Sequence, residues 1–288
     1  MKYAIISDIH SNIQALEQVF KMVNSEVDQI ICLGDIVGYN ANPKECIKAV
    51  RKNSLVTHIV QGNHDEDTGH AEENYIGHIG ELSPDAYAGI KYSSSVLSKK
   101  DKEWLKQLPE SALIEDPDIP FLVSHYSPEI CTAYGYILND CDARISIKRL
   151  KKMGNIKLFF FGHSHLPTYI EDLDGRLHFD MGRHLENDIY VIDTDVYRLI
   201  NPGSVGQPRG GGITSYAILD TKKKTVKIQG FQYDIEAAQK AVREAGYSKS
   251  IENRLDPDYE QKIKRAKKDK YKARQKYYDS IAKNKLNG

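Results

Sequence analysis

The chain has 288 residues, with 40 Lys plus Arg against 40 Asp plus Glu; 28% of its residues are charged and 40% are hydrophobic. An even spread of that balance would exclude a dedicated nucleic-acid binder or a polyanionic tail, but from Arg254 to Gly288 there are 12 basic residues and 5 acidic ones, so an acidic body precedes a basic tail. No apolar run approaches the roughly 20 residues that cross a bilayer, and a strand-like pattern begins at Tyr3, leaving no room for a signal peptide and pointing to a cytoplasmic protein.

In chain order, Tyr3–Ser7 reads as a strand. A helix follows from Asn12 to Val23, with Ile13, Leu16, Phe20 and Val23 at helical spacing. Gln29–Leu33 is a second strand, Pro43–Arg51 a helix with Pro in its opening turn, and Leu55–Val60 a third strand. The polar stretch Gly69–Gly89 predicts loops and short helices over one face. Strands resume at Phe121–Ser124 and Lys157–Phe161, with a helix near Asp142–Met153 between them. Antiparallel strands are expected at Thr168–Asp172, Leu177–Asp180, Ile189–Asp193, Thr214–Asp220 and Val226–Phe231, then a helix at Ile235–Ala245 closed by Gly246. This alternation is that of a layered α/β domain. Cys32, Cys46, Cys131 and Cys141 form no CxxC pair and read as reduced, mostly buried thiols. Beyond Pro257 the Lys-, Arg- and Tyr-rich tail predicts one basic helix, so the chain divides into residues 1–253 and a 254–288 extension.

Five segments place ligand-type residues just beyond predicted strands: Asp8-Ile9-His10, Gly34-Asp35, Gly62-Asn63-His64-Asp65, His125, and Gly162-His163-Ser164-His165. Singly, each reads as an ordinary cap, turn or core histidine. As an ordered set at strand carboxyl ends they converge on one crevice, where α/β sheets bind ligands. In an extended segment residues i and i+2 share a side, so Asp8 with His10, and His163 with His165, present ligands together. Imidazoles, carboxylates and an amide oxygen without thiolate suit Mn, Fe, Ni, Co or Zn, with no selection among them.

These motifs together resemble the set of the calcineurin-like metallophosphoesterase superfamily. Asn201-Pro202-Gly203-Ser204-Val205-Gly206-Gln207-Pro208-Arg209 further resembles the loop of its small bacterial phosphodiesterase branch, which includes relatives of diadenosine tetraphosphatase. The match spans roughly residues 1–245. It implies that residues 1–253 are a catalytic domain built as a four-layer α/β/β/α sandwich of two mixed sheets. It also implies two divalent metal ions, one held by Asp8, His10, Asp35 and His165, the other by Asp35, Asn63, His125 and His163, with Asp35 as the bridge. The chemistry expected is phosphoester hydrolysis by a metal-bridging hydroxide, the ions about 3.5–4 Å apart. His64 is the candidate proton donor to the leaving oxygen, with Asp65 orienting its ring.

Arg209 is the candidate phosphate fork. Ser204 and the loop glycines are expected to place backbone amides near the site. Tyr39, Asn40 and Asn42 are expected to line the crevice, and Tyr126, where relatives carry glycine, to narrow it or stack on a base. Asp35 is followed by Ile36 rather than by the pattern of protein phosphatases, which points to a nucleotide or other small phosphoester. A dinucleoside polyphosphate is one alternative; a non-catalytic metal-binding scaffold is another, disfavoured by the intact His64. The tail is read as docked on the acidic body, with nucleic acid as its alternative partner. The Gly175–Leu199 stretch reads as a flap, an oligomer contact between copies of the chain, or a longer hairpin.

Overall fold

The computed structural model describes residues 1–72, 82–128, 135–154, 156–182, 187–209, 213–256 and 259. The amino-terminal part runs β1 (Lys2–Ile6), α1 (Ile13–Val23), β2 (Gln29–Cys32), α2 (Pro43–Lys52), β3 (Val56–Ile59), then three helices, α3 (Asn63–His70), α4 (Pro84–Val96) and α5 (Lys99–Lys106). There follow β4 (Ser111–Ile114), β5 (Phe121–Ser124), α6 (Asp140–Lys152), β6 (Leu158–Phe160), β7 (Pro167–Leu173) and β8 (Arg176–Met181). The last elements among the described residues are β9 (Ile189–Val191), β10 (Tyr197–Pro202), β11 (Ser215–Asp220), β12 (Thr225–Gly230), α7 (Ile235–Glu244) and α8 (Lys249–Arg254).

The strands form two six-stranded mixed sheets, ordered β3-β2-β1-β11-β12-β9 and β4-β5-β6-β10-β7-β8. Their period of two decides what each face meets. In β1, Ala4 and Ile6 join the cluster under α1 and α2, whereas Tyr3 and Ile5 point between the sheets. In β5 and β6, Phe121, Val123 and Phe160 point between the sheets, and Leu122 and Phe159 meet Ala143, Ile147 and Leu150 of α6. The result is the four-layer α/β/β/α sandwich. β1 and β2 pair in parallel, and their apolar runs are buried on both faces, as such strands require.

Helix α1 starts where Asn12 accepts the Ala15 N–H at 3.1 Å through its side chain, a cap whose loss typically costs about 1 kcal/mol. Its Leu16 and Val19 are fully buried; truncating Leu16 to Ala would cost about 2–5 kcal/mol.

Several elements depart from the expected pattern. Tyr197–Pro202 is a central strand, although Arg198 and Asn201 make it read as polar. Arg198 is buried because Tyr169 Oη accepts from its Nε at 2.8 Å and the Asp193 carbonyl from its Nη1 at 2.6 Å; Asn201 donates to the Gly162 carbonyl at 2.7 Å. Among its described residues the 175–199 stretch is built into the sheets instead of forming a flap, with β8 and β9 at sheet edges and β10 an interior strand. Helices α4 and α5 begin at Ser83 and Ser98, whose side chains accept the Ala86 and Asp101 N–H groups. Helix α8 runs to Arg254, and Leu255 is buried against Ala238, Val242 and Ile251, so packing continues past the boundary expected at residue 253.

Cys32 and Cys46 are free and buried and Cys141 is free and exposed; Cys131 and the predicted tail helix lie outside the described residues, as do residues 210–212 beside Arg209. No helix among the described residues is long and apolar enough to cross a membrane.

Candidate metal centre

The loops after β1, β2, β5 and β6 and the start of α3 meet at one end of the sandwich. Two ligand groups form there, Asp8, His10, Asp35 and His165, and Asp35, His125 and His163, with Asp35 common to both and every residue buried. Within each group the ligand atoms lie within 4.8 Å of one another. His10 Nε2 faces His165 Nε2 at 3.1 Å and Asp35 Oδ2 at 3.5 Å. Asp35 Oδ2 also lies 3.3 Å from His125 Nε2, and Asp8 Oδ1 lies 3.3 Å from His165 Nε2. Asn63, the first residue of α3, lines the same cleft.

The ligand pairs do not come from extended backbone. Asp8, His10, Asp35, His163 and His165 all have positive φ, between 48° and 69°. Non-glycine residues adopt that region at a cost, and such strain collects at functional sites. Left-handed turns separate side chains that a strand would keep on one side, so His165 enters the first group and His163 the second. Glycine is needed where these loops touch. A Cβ on Gly162 would meet Ser7 Oγ and stand 3.1 Å from both Asp8 Oδ2 and His125 Nδ1, and one on Gly62 would collide with Asp35.

The outer contacts fix the ring tautomers. His10 Nδ1 donates to the Val37 carbonyl at 3.1 Å, His125 Nδ1 to that of Leu33 at 2.7 Å, and His165 Nδ1 to that of Gln207 at 2.5 Å. Each Nε2 then faces the centre and, once free of a proton, offers it a lone pair, the arrangement typical of metal-binding imidazoles.

Burial pushes the His10, His163 and His165 imidazoles well below their ordinary pKa, so they stand neutral as ligation requires. Burial acts against charge on Asp35 too, but the imidazoles of His125 and His64 outweigh it and hold the carboxyl well below the usual range. Conversely, the Asp35 charge overcomes the burial of His125 and raises it to about 9. Burial raises Asp8 to about 6, helped by the nearby Asp35.

Whether these residues suit metal ions is tested by their unmet polar atoms. Asp8 Oδ1, Asp35 Oδ2, Asn63 Oδ1, His125 Nε2 and His163 Nε2 are buried without a hydrogen-bond partner. Such atoms are rare in folded proteins and costly one at a time; here they converge, and all are donors of electron pairs. Divalent cations satisfy them together, so the residues fit the group.

The other expected site residues separate. His64 lies beside the centre with its Nδ1 buried and unpartnered and its ring 4.7 Å from that of Tyr39. Asp65 does not orient it: Asp65 Oδ1 accepts from the Ile36 and Val37 N–H groups and Oδ2 from that of Gly62. The carboxylate thus ties the Asp35 loop to the start of α3. Asn40 is buried beneath the site, donating to the His10 carbonyl at 2.8 Å, so it braces a ligand loop instead of lining the cleft. Tyr126 packs edge-on against the His125 and His163 rings, each 5.1 Å away, and lines a separate cavity of about 110 Å³.

Arg209 does line the cleft, a space of about 310 Å³ shared with Asp35, Asn63 and His163, and donates to Tyr39 Oη at 3.3 Å. The loop preceding it is a brace. Val205 and Gly206 donate their N–H groups to the Ser7 and Asp8 carbonyls, and Ser204 Oγ donates to the Asp8 carbonyl at 2.8 Å, so these groups do not face the cleft. Sequence reasoning missed Tyr136, whose ring stacks on His163 with centroids 3.9 Å apart. Its only local signal is the preceding Gly135, with φ of 74°. It also missed Arg254 of α8, which reaches the same cleft from far along the chain.

The model of the calcineurin-like phosphoesterase superfamily domain matches residues 1–224. The uncharacterized protein MJ0912 of Methanocaldococcus jannaschii is 35% identical over 258 residues, covering 88% of this chain and 93% of that protein. A metallophosphoesterase structure from Sphaerobacter thermophilus is 33% identical with a TM-score of 0.69, over 88% of this chain and 98% of the other. The structure of hypothetical protein PH1004 from Pyrococcus horikoshii OT3, at 20% identity, TM-score 0.67 and coverage of 88% and 97%, shares the fold.

Proposed function

Because the chain belongs to the calcineurin-like phosphoesterase superfamily, we propose that it hydrolyses phosphoester bonds of a nucleotide or another small phosphorylated substrate, using two divalent metal ions. The observation that carries this reading is the gathering of five buried, unpartnered electron-pair donors, Asp35 Oδ2 among them, around two ligand groups that share the Asp35 carboxylate. Asp8, His10, Asp35 and His165 would hold one ion, and Asp35, Asn63, His125 and His163 the other. Bound there, such ions lower the pKa of water and neutralise charge on the phosphoryl oxygens.

The chain's own side chains supply the rest. Arg209 presents its guanidinium on the cleft wall and holds a phosphoryl oxygen, steadied by Tyr39 Oη. The His64 ring, at the edge of the centre, would donate a proton to the leaving oxygen. Tyr136 covers the outer face of His163 and keeps that ring in place.

The test is an assay of metal-stripped protein reloaded with Mn(II), using bis(p-nitrophenyl) phosphate, p-nitrophenyl phosphate, nucleotides and dinucleoside polyphosphates. Metal-dependent release of product is expected. The ratio of diester to monoester rates and the response to dinucleoside polyphosphates then define the bond preference. No cleavage of any of them would favour the non-catalytic scaffold.

A further inference from the structure

Helix α8 lies beyond the family-matched residues 1–224, yet Arg254 at its end lines the metal cleft. The helix is firmly seated. Ile251 and Leu255 are 1% exposed, Glu252 is held by Arg243 and Lys249 at 2.7 Å each, and Ser248 and Ser250 donate to the Asp85 carboxylate on the first turn of α4. Arg254 pairs through Nε with the same carboxylate at 3.2 Å, and its side chain stays 37% exposed. Among the described residues its Nη groups have no hydrogen-bond partner.

The two cleft arginines share one neighbour and differ in their reach. The charge of Arg209 acts on Asp8 and on the ligand imidazoles, whereas that of Arg254 acts with it on the Tyr39 hydroxyl. Ser83 and Ala86, at the amino end of α4, share the Arg254 wall, and a helix of 13 residues directs its positive end there. A phosphoryl group at the ligand cluster is already served by Arg209. A second guanidinium, its Nε held by Asp85 and its Nη groups without a partner among the described residues, fits another anionic group, because the planar fork pairs with a carboxylate or phosphate through two parallel N–H···O bonds.

We propose that Arg254 is a specificity-determining residue that selects phosphoesters carrying a second anionic group on their organic part. This rests on the phosphoesterase reading for its substrate class. Selection arises as a difference in affinity: a doubly anionic ligand meets both guanidiniums, a singly anionic one only Arg209.

The experiment is calorimetric titration of full-length, Mn(II)-loaded protein in a His64→Gln background, which suppresses turnover in every arm. The probes are adenosine 3′,5′-bisphosphate, adenosine 2′,5′-bisphosphate and 5′-AMP. At least one bisphosphate is expected to bind tenfold or more tightly than 5′-AMP, and Arg254→Gln to bring that ratio to within threefold of one with little change in 5′-AMP affinity. Equal weakening of all probes, a preference that survives Arg254→Gln, or no preference in the parent overturns the proposal. Should Arg254→Gln lower the melting temperature enough to unfold the protein, Arg254→Lys decides. It keeps the charge beside Asp85 but not the fork, so the ratio must fall at least threefold, and an unchanged ratio overturns the proposal. Failure of the phosphoesterase reading shows separately, as absent cleavage by the wild type of bis(p-nitrophenyl) phosphate, p-nitrophenyl phosphate, nucleotides and dinucleoside polyphosphates alike, with the binding ratio intact.

Discussion

The backbone N–H of His64 donates to Oδ1 of Asp35 at 2.8 Å, which turns Oδ2 toward His10 and His125 at 3.5 and 3.3 Å. One carboxylate is thereby committed on one side to the residue proposed as proton donor and on the other to both ligand groups. The bond needs only a main-chain donor, so the side chain of His64 is left to the cleft.

Asp35→Asn replaces the shared anion with a neutral amide whose NH₂ is a donor, in a place that needs acceptors. Bound Mn(II), measured by plasma mass spectrometry after desalting, should fall by at least half. Phosphoesterase activity should fall by about 10³-fold or more. Retention of both would remove Asp35 from the centre.

His64→Gln keeps the main-chain bond to Asp35 and removes the imidazole. Turnover should drop by about 10²–10⁴-fold, the usual yield of general acid catalysis, with metal content unchanged. The loss should be smaller for a p-nitrophenolate leaving group, which needs no proton, than for an alkyl one. A parallel loss of metal would make His64 a structural residue.

Gly38→Ala tests how the ring of His64 is placed. Gly38 has φ of 91°, and a Cβ there would run into His64 Nδ1. The variant should shift the ring and lower kcat by about tenfold or more while metal content holds, since a misplacement of about 1 Å costs on the order of 10²-fold. Its melting temperature should fall too, because alanine is strained at positive φ. Wild-type kcat in this variant would show that the ring position is immaterial.

Asp116 gives a pH dependence remote from the centre. Burial opposes its charge, but N–H bonds from Ile119 and Asp118 and hydroxyl bonds from Tyr3 and Thr221 outweigh that and lower its pKa. A carboxyl whose pKa is lowered on folding contributes stability that is present above its unfolded value of about 3.9, and lost as pH falls through the folded value. Asp116→Asn should therefore lower stability at pH 7 by about 1–3 kcal/mol and flatten the fall of melting temperature below about pH 4. An unchanged acid slope would show that this network carries no net stability.

Periodicity made β1, α1, β2 and α2 legible, because their apolar residues follow the face each element buries. It failed at β10, where Arg198 and Asn201 are buried only because partners from β7 and the β6 loop satisfy them. Sequence motifs also brought out the ligand types, since Asp8, His10, Asp35, Asn63, His125, His163 and His165 follow strand ends and carry chemistry that few other residues offer. What they could not convey was direction. Positive φ divides His163 from His165, main-chain donors occupy Asp65, and the His10 carbonyl occupies Asn40. Tyr136 reaches the cleft from the segment before α6 and Arg254 from the end of α8, and no local pattern records a contact between residues so far apart. The opening charge balance shows the same division: the sequence by itself determined an acidic body, a basic tail and a set of ligand residues, while tertiary structure alone decided that Arg254, at the start of that tail, faces the metal cleft. Composition adds charges without regard to place, and only folding gives them neighbours.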